Sequence, residues 1–318
     1  MQTFLWGYWG GLNVGDELIL KAIVELLGRE HIVVVARGDN SYVSKLHDVE
    51  SVSYTKVLRD VPFNRHIVGG GGLFQDTTSL HNIFYYLFPI VLGRESCLIG
   101  VGVGPLQQAM SRVVVSSAFR GITLAVVRDV LSYRFLLQRV GFISTFLAPD
   151  ITFTLSSLTK HKFSYIYNPG EVLLVPGPSL GLYWKDVVRK TRGKKVVVVE
   201  FLPLLDSKWR REYPTSWKVI NGIDALFQGE LMDIIGKFSF WVVGRLHAMI
   251  LALLMGKYFY PMVYDIKMKV LLRDLGIITY NKGEYVSINN MRLSQIVKRA
   301  NDVYGRVAEY LAGKGWVR

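Results

Sequence analysis

Short apolar runs alternate along the chain with stretches whose apolar positions recur every three or four residues, and this alternation predicts the elements. In the first half, Thr3 to Tyr8, Ile32 to Ala36, Cys97 to Val103 and Leu124 to Val127 read as strands, and His66-Ile67-Val68 enters the run Gly69 to Gly72 as another. Helices are expected over Asp16 to Leu27, Ser79 to Leu92, Arg112 to Phe119 and Ser132 to Val140, the last ended by Gly141. Apolar strands separated by amphipathic helices mean βαβ units around a parallel sheet. Around Ser156 to Gly170 the pattern lapses into polar sequence containing Pro and Gly, which sets an expected boundary between an N-terminal α/β domain, 1–160, and a C-terminal one, 161–318.

The second half restarts with strands at Val172 to Val175 and Lys195 to Glu200 and a short one at Trp217 to Ile220. Helices are expected at Leu182 to Thr191, Leu226 to Ile235, Met268 to Asp274 and Leu293 to Leu311, with a further strand at Phe259 to Val263. One segment departs from the pattern. The apolar stretch Phe238 to Met255 contains Arg245 and His247, two residues apart. Phe238 to Val243 reads as a buried strand and Ala248 to Met255 as the helix after it, so both polar residues fall where a strand ends and a helix opens. Ligands of open α/β sheets bind at such positions, and helix N-termini favour anions. A buried guanidinium needs an anionic partner, either a carboxylate of the fold, such as Asp265, or a ligand. A histidine beside it can move a proton near neutral pH.

The length of 318 residues fits two domains of ordinary size in series, with a cleft between them. Mean hydropathy is +0.26, high enough to raise the question of membrane spans. Ile83 to Leu92 is shorter than the ~20 residues a spanning helix needs, and Phe238 to Met255 carries Arg245 and His247 near its middle, so both are expected to be buried segments of a soluble fold. The N-terminus lacks a basic region followed by an apolar stretch, so no signal peptide is expected, and the lone Cys97 fits a reducing cytoplasm. Lys and Arg number 38 against 25 Asp and Glu, a net charge of +13. The cations are dispersed, with modest clusters at Arg189 to Lys195, Lys208 to Arg211 and Lys267 to Arg273, and no nucleic-acid-binding signature appears. Acidic small molecules and peripheral contact with an anionic membrane surface are the partners this charge favours.

Four loops follow expected strands. Gly7-Tyr8-Trp9-Gly10-Gly11-Leu12-Asn13-Val14-Gly15-Asp16-Glu17 allows close backbone approach, yet lacks both the P-loop Lys and the dinucleotide glycine spacing, and Asp16 fits a helix cap. Gly69-Gly70-Gly71-Gly72-Leu73-Phe74-Gln75-Asp76 implies tight approach to a ligand or a neighbouring helix; Gln75 and Asp76 suit sugar hydroxyls, and Asp76 suits a base or a cap. Gly100-Val101-Gly102-Val103-Gly104-Pro105-Leu106-Gln107 reads as a strand end and turn. In Val127-Arg128-Asp129-Val130-Leu131-Ser132 the two charges either pair with each other or meet a ligand. The aromatic set Phe84, Tyr85, Tyr86 and Phe88 reads as core, with an apolar wall for a lipid-linked acceptor as the second reading.

The ordered set of these loops, with Ala148-Pro149-Asp150, Gly244-Arg245-Leu246-His247-Ala248 and Tyr264-Asp265-Ile266-Lys267, resembles the polysaccharide pyruvyl transferase family over nearly the whole chain. The sequence departs from the family at Ile266, where Pro often follows the Asp. The resemblance implies two Rossmann-like domains facing a cleft, as in GT-B glycosyltransferases. It implies transfer of a pyruvyl group from phosphoenolpyruvate to a sugar of a cell-surface polysaccharide, as a ketal. The family's catalytic Arg and His carry over to Arg245 and His247, and its Arg-Asp motif to Arg128 and Asp129. Asn13, Asp16, Gly70, Gly71, Gln75, Asp76 and Lys267 complete the candidate substrate contacts.

The chemistry asks for these residue types. Phosphoenolpyruvate carries a carboxylate and a phosphate, which arginine forks suit. A general acid must protonate its methylene carbon, and His247 is the candidate. No metal or cofactor is expected. The partners expected are phosphoenolpyruvate and a sugar acceptor, with a lipid-linked precursor as a hypothesis drawn from the net charge and the aromatics. A cytoplasmic location is expected, peripheral to the inner membrane face in the lipid-linked case. Two other readings stay open: a nucleotide-sugar glycosyltransferase of the same fold, and a non-catalytic sugar-binding protein.

Overall fold

The computed structural model describes residues 2–58, 61–77, 80–141, 144–155, 158, 168–277, 286 and 290–317. The chain divides into two compact units. Unit 1 comprises Met1–Gly11, Asp16–Thr154 and Val297–Arg318; unit 2 comprises Leu12–Gly15 and Leu155–Ile296. The last segment, 297–318, which the sequence reading places with the second half, therefore belongs to unit 1. Most of the polar stretch 156–170, where that reading sets its boundary, lies outside the described residues.

Unit 1 holds a seven-stranded sheet, parallel throughout, in the order β3-β2-β1-β4-β5-β6-β7. The strands are β1 (Thr3–Trp6), β2 (Ile32–Ala36), β3 (Glu50–Ser53), β4 (Arg65–Gly69), β5 (Glu95–Val101), β6 (Leu124–Val127) and β7 (Ser144–Leu147). The central strands β1, β2 and β6 are buried at every position, as apolar runs covered on both faces must be. The strand order reverses between β1 and β4, and the loops leaving both are glycine-rich. Ligands of doubly wound sheets bind at this reversal. His66 in β4 is fully buried: it accepts a hydrogen bond from Trp6 Nε1 at 2.9 Å, and its Nε2 lies 2.9 Å from the carbonyl of Val61. The two bonds fix an imidazole protonated at Nε2, and burial lowers its pKa against the Val61 bond.

Unit 2 holds a five-stranded parallel sheet in the order β10-β9-β8-β11-β12. Its strands are β8 (Glu171–Val175), β9 (Lys195–Glu200), β10 (Lys218–Asn221), β11 (Phe240–Val243) and β12 (Tyr258–Pro261). Order reverses between β8 and β11. Where one helix is expected over Leu226 to Ile235, two form, Gly222–Phe227 and Leu231–Gly236. Gly229, at φ +77°, turns the chain between them. The helix expected over Ser132 to Val140 is an α-helix from Val130 to Phe135 that loosens into a π-turn over Leu136–Val140.

Candidate active site

Unit 2 builds its site where β8 and β11 part. Gly244 N–H donates to Val175 O at 2.8 Å, and a Cβ on Gly177 would lie 1.9 Å from Gly244 O. Only glycine lets the two strand ends come this close. Arg245 keeps extended backbone, and the helix Leu246–Leu254 opens directly after it, so Arg245 stands at the carboxyl end of β11 as the residue before the helix and His247 in its first turn. This is where the sequence pattern places them.

Arg245 Nη2 donates to Asp206 Oδ1. The arginine side chain is 13% exposed and the carboxylate 1%. Asp206 closes the short helix Pro203–Asp206 after β9 and also accepts from Leu202 N–H at 3.0 Å. Burial raises the pKa of Asp206, and the Arg245 charge opposes that rise. Burial likewise raises the Tyr264 phenol against the same guanidinium. Arg245 Nε is buried and makes no hydrogen bond among the described residues. The carboxylate suggested by the sequence, Asp265, has another task. It caps the helix Ile266–Asp274 through Lys267 N–H at 2.9 Å, and its second oxygen lies 3.9 Å from Lys267 Nζ.

His247 packs against the segment Leu12–Gly15. A Cβ on Gly15 would sit 2.1 Å from His247 Nδ1, so the imidazole occupies the space that a larger residue would fill. The segment is held by Val14 N–H donating to Phe201 O at 2.9 Å and by Asn13 Oδ1 accepting from Gly15 N–H at 3.1 Å. Asn13, not Asp16, thus makes this bond at the start of the helix Val14–Leu27. Asp206 and Gly15 escape sequence reasoning as members of the Arg245–His247 site. The available signal for Asp206 is an acid directly after the apolar stretch Phe201 to Leu205.

Unit 1 gathers a second group of the candidates. Gly70 and Gly71 have φ of +63° and +75°, and a Cβ on Gly70 would lie 2.0 Å from Ile19 Cγ2. What comes close here is the helix Val14–Leu27. Asp16 Oδ1 lies 3.3 Å from the Cβ position of Gly71. Gly102 N–H donates to Gly71 O at 2.8 Å, and a Cβ on Gly102 would lie 3.2 Å from Arg128 Nε and 3.4 Å from Asp129 Oδ2. Asp16, Gly71, Arg128 and Asp129 are so linked through Gly102.

Arg128 and Asp129 do not pair with each other. Arg128 Nη1 donates to Asp150 Oδ2 at 2.8 Å, with the side chains 6% and 7% exposed. Asp129 caps the helix Val130–Phe135 through Ser132 N–H at 2.8 Å. Asp76 accepts from Gln107 and Gln108 N–H at 2.8 and 2.7 Å. What burial it has raises its pKa, and these bonds outweigh that and hold the carboxyl below its ordinary value. Asp76 therefore ties down the approach to the helix Ala109–Phe119, while Gln75 beside it is half-buried.

Two parallel α/β sheets, each reversing strand order where glycine-rich or charged loops emerge, define a GT-B-type fold of the kind found in epimerases and glycosyltransferases. The UDP complex of MnaA from S. aureus superposes with a TM-score of 0.57 at 10% identity, over 97% of this chain and 91% of that one. The UDP-GlcNAc 2-epimerase of Neisseria meningitidis bound to UDP-GlcNAc gives 0.57 at 13% identity, over 97% and 94%. No curated protein sequence matches the chain. The family model for polysaccharide pyruvyl transferase matches residues 13–266, and the chain belongs to that family.

Proposed function

We propose that the protein moves the pyruvyl group of phosphoenolpyruvate onto two hydroxyls of a sugar, in a cell-surface polysaccharide or its lipid-linked precursor, and releases phosphate. The observation that carries this reading is the pair Arg245 and His247 at the strand-order reversal of unit 2, the first at the N-cap position and the second within the first turn of Leu246–Leu254. Family membership supports pyruvyl transfer to a polysaccharide. In the proposed reaction His247 gives a proton to C3 of the donor, which makes C2 electrophilic. One hydroxyl attacks C2, phosphate leaves, and the second hydroxyl closes the ketal. Of the two hydroxyl protons, one restores His247 and the other leaves with phosphate. Arg245 holds one of the donor's anionic groups through N–H groups that Asp206 leaves open.

Calorimetric titration of phosphoenolpyruvate into the wild type and Arg245→Ala, with UDP- and GDP-sugars as competitors, tests the reading. Binding that disappears in the variant and resists the competitors is expected. Binding of a nucleotide sugar without phosphoenolpyruvate would overturn it in favour of a nucleotide-sugar substrate, the ligand class that UDP and UDP-GlcNAc represent in the two structural neighbours.

A further inference from the structure

The helices Leu80–Leu92 and Ala109–Phe119 of unit 1 present large apolar side chains to solvent. On the first, Phe84 is 58% exposed, Val91 60% and Leu92 48%; on the second, Met110 is 77% and Val113 68%. Spacings of seven and eight residues from Phe84 on the first helix, and of three on the second, draw each set into one stripe along its helix. An open groove of about 830 Å³ runs between the stripes, lined in part by Phe84, Phe88, Leu92 and Val113. The core does not account for these side chains. The same helices already bury Ile83, Tyr86, Ile90, Val115 and Phe119 inside unit 1. An apolar stripe left outside a filled core marks a contact surface.

The charges around the groove select the partner. Neither helix carries an Asp or Glu. Exposed Arg94 and Arg120 follow the C-terminal ends of the two helices, beside the groove-lining residues Leu92 and Gly121. The one acid between residues 80 and 121 is Glu95, and it is bonded to Arg65 at 3.1 Å. We propose that this face lies on an anionic lipid bilayer, with Phe84, Val91, Met110 and Val113 at the acyl boundary and Arg94 and Arg120 among the headgroups. Among the described residues no helix is long and apolar enough to cross a membrane, so the contact is of the kind that rests on the surface. A second copy of the same face is the weaker occupant. Twofold pairing would bring Arg94, Arg120 and their counterparts into one interface while neither helix carries an acid to neutralise them. The inference stands apart from pyruvyl transfer.

Flotation of the full chain with vesicles tests it. One set is phosphatidylcholine alone; the other adds phosphatidylglycerol to about 30%. The wild type floats with the anionic vesicles and about tenfold less with the neutral ones. Phe84→Ser/Val113→Ser and Arg94→Glu/Arg120→Glu each lose about tenfold or more on the anionic set, with circular dichroism and thermal unfolding showing both folded. A wild type that ignores both sets, or variants that float as it does, would overturn the proposal. So would a dimer in sedimentation equilibrium that Phe84→Ser/Val113→Ser dissolves while vesicles go unbound; that result gives the face to a second copy.

Discussion

Replacing Arg245 by methionine keeps most of the side-chain volume and removes the cation bonded to Asp206. The carboxylate is 1% exposed, so among the described residues it is left buried with Leu202 N–H, at 3.0 Å, as its remaining donor. Removing one partner of a buried ion pair costs about 3–5 kcal/mol. Arg245 is 13% exposed, which places the expected loss at the lower end, about 3 kcal/mol at pH 7.5. Burial already raises the pKa of Asp206 and Arg245 opposes it, so the variant carries the carboxyl higher still. A carboxyl with a raised folded-state pKa favours the folded state as it takes up a proton. The deficit of the variant therefore shrinks as pH falls through that pKa, by at most about 1.4 kcal/mol per pH unit. Urea unfolding followed by tryptophan fluorescence at pH 7.5, 6.0 and 5.0, wild type against Arg245→Met, reads both effects. A loss under about 1 kcal/mol at pH 7.5, or a deficit that widens on acidification, would refute the view of Asp206 as a buried charge dependent on Arg245.

Three further outcomes are expected. His66 has a pKa lowered by burial from its ordinary 6.5, so the unfolded chain takes up the proton first. Stability is full above that value and falls below it by up to about 1.4 kcal/mol per pH unit, and His66→Gln flattens the slope of melting temperature against pH between 6.5 and 5. An unchanged slope would mean that other groups set it. Gly15→Ala places a methyl group 2.1 Å from His247 Nδ1. The imidazole must shift, which costs about 1–3 kcal/mol in urea unfolding and lowers kcat for phosphate release by about tenfold or more in the folded variant; full activity would remove His247 from the chemistry. Asp150→Ala takes the carboxylate from Arg128 and from Thr152 and costs about 3 kcal/mol in urea unfolding, and a loss under about 1 kcal/mol would show that Asp150 does not hold its loop.

What the sequence makes legible follows burial. Strands covered on both faces, such as β1 and β2, are apolar at nearly every position and are visible as runs. β3, with sequence Glu50-Ser-Val-Ser, and β7, with Ser144-Thr-Phe-Leu, sit at the two edges of the sheet with half their environment in solvent, and neither forms an apolar run. The helix Asn40–His47 buries Val43 alone, too little for a periodic signal. Arg245 and His247 are legible because charge inside an apolar run is conspicuous. Their neighbours are not, because Asp206 meets Arg245 across 39 positions and Gly15 meets His247 across a fold contact that no local pattern encodes. The glycines at 70 and 71 announce close approach, but only the structure shows that Ile19 of a neighbouring helix is what approaches Gly70.

A common feature of the candidate cations bears on how a donor with several negative charges would be held. Arg245 is met by Asp206, Arg128 by Asp150 and Lys267 by Asp265, the last pair at 3.9 Å. None of the three acts as an isolated charge, so attraction at long range is weak, and recognition depends on hydrogen-bond geometry. A guanidinium has five donors in a fixed fork, and a carboxylate on one edge holds that fork in place before a ligand arrives. The ordering entropy is then met during folding and not at binding. This arrangement favours planar anionic groups that fit the remaining donors over diffuse polyanions. It also separates two variants that charge counting would rank alike. Asp206→Asn keeps an acceptor and the side-chain volume, while Asp206→Ala releases the fork, so phosphoenolpyruvate should bind Asp206→Asn at least tenfold more tightly than Asp206→Ala, about 1.4 kcal/mol by calorimetry. Equal affinities would mean that Asp206 balances charge without orienting Arg245.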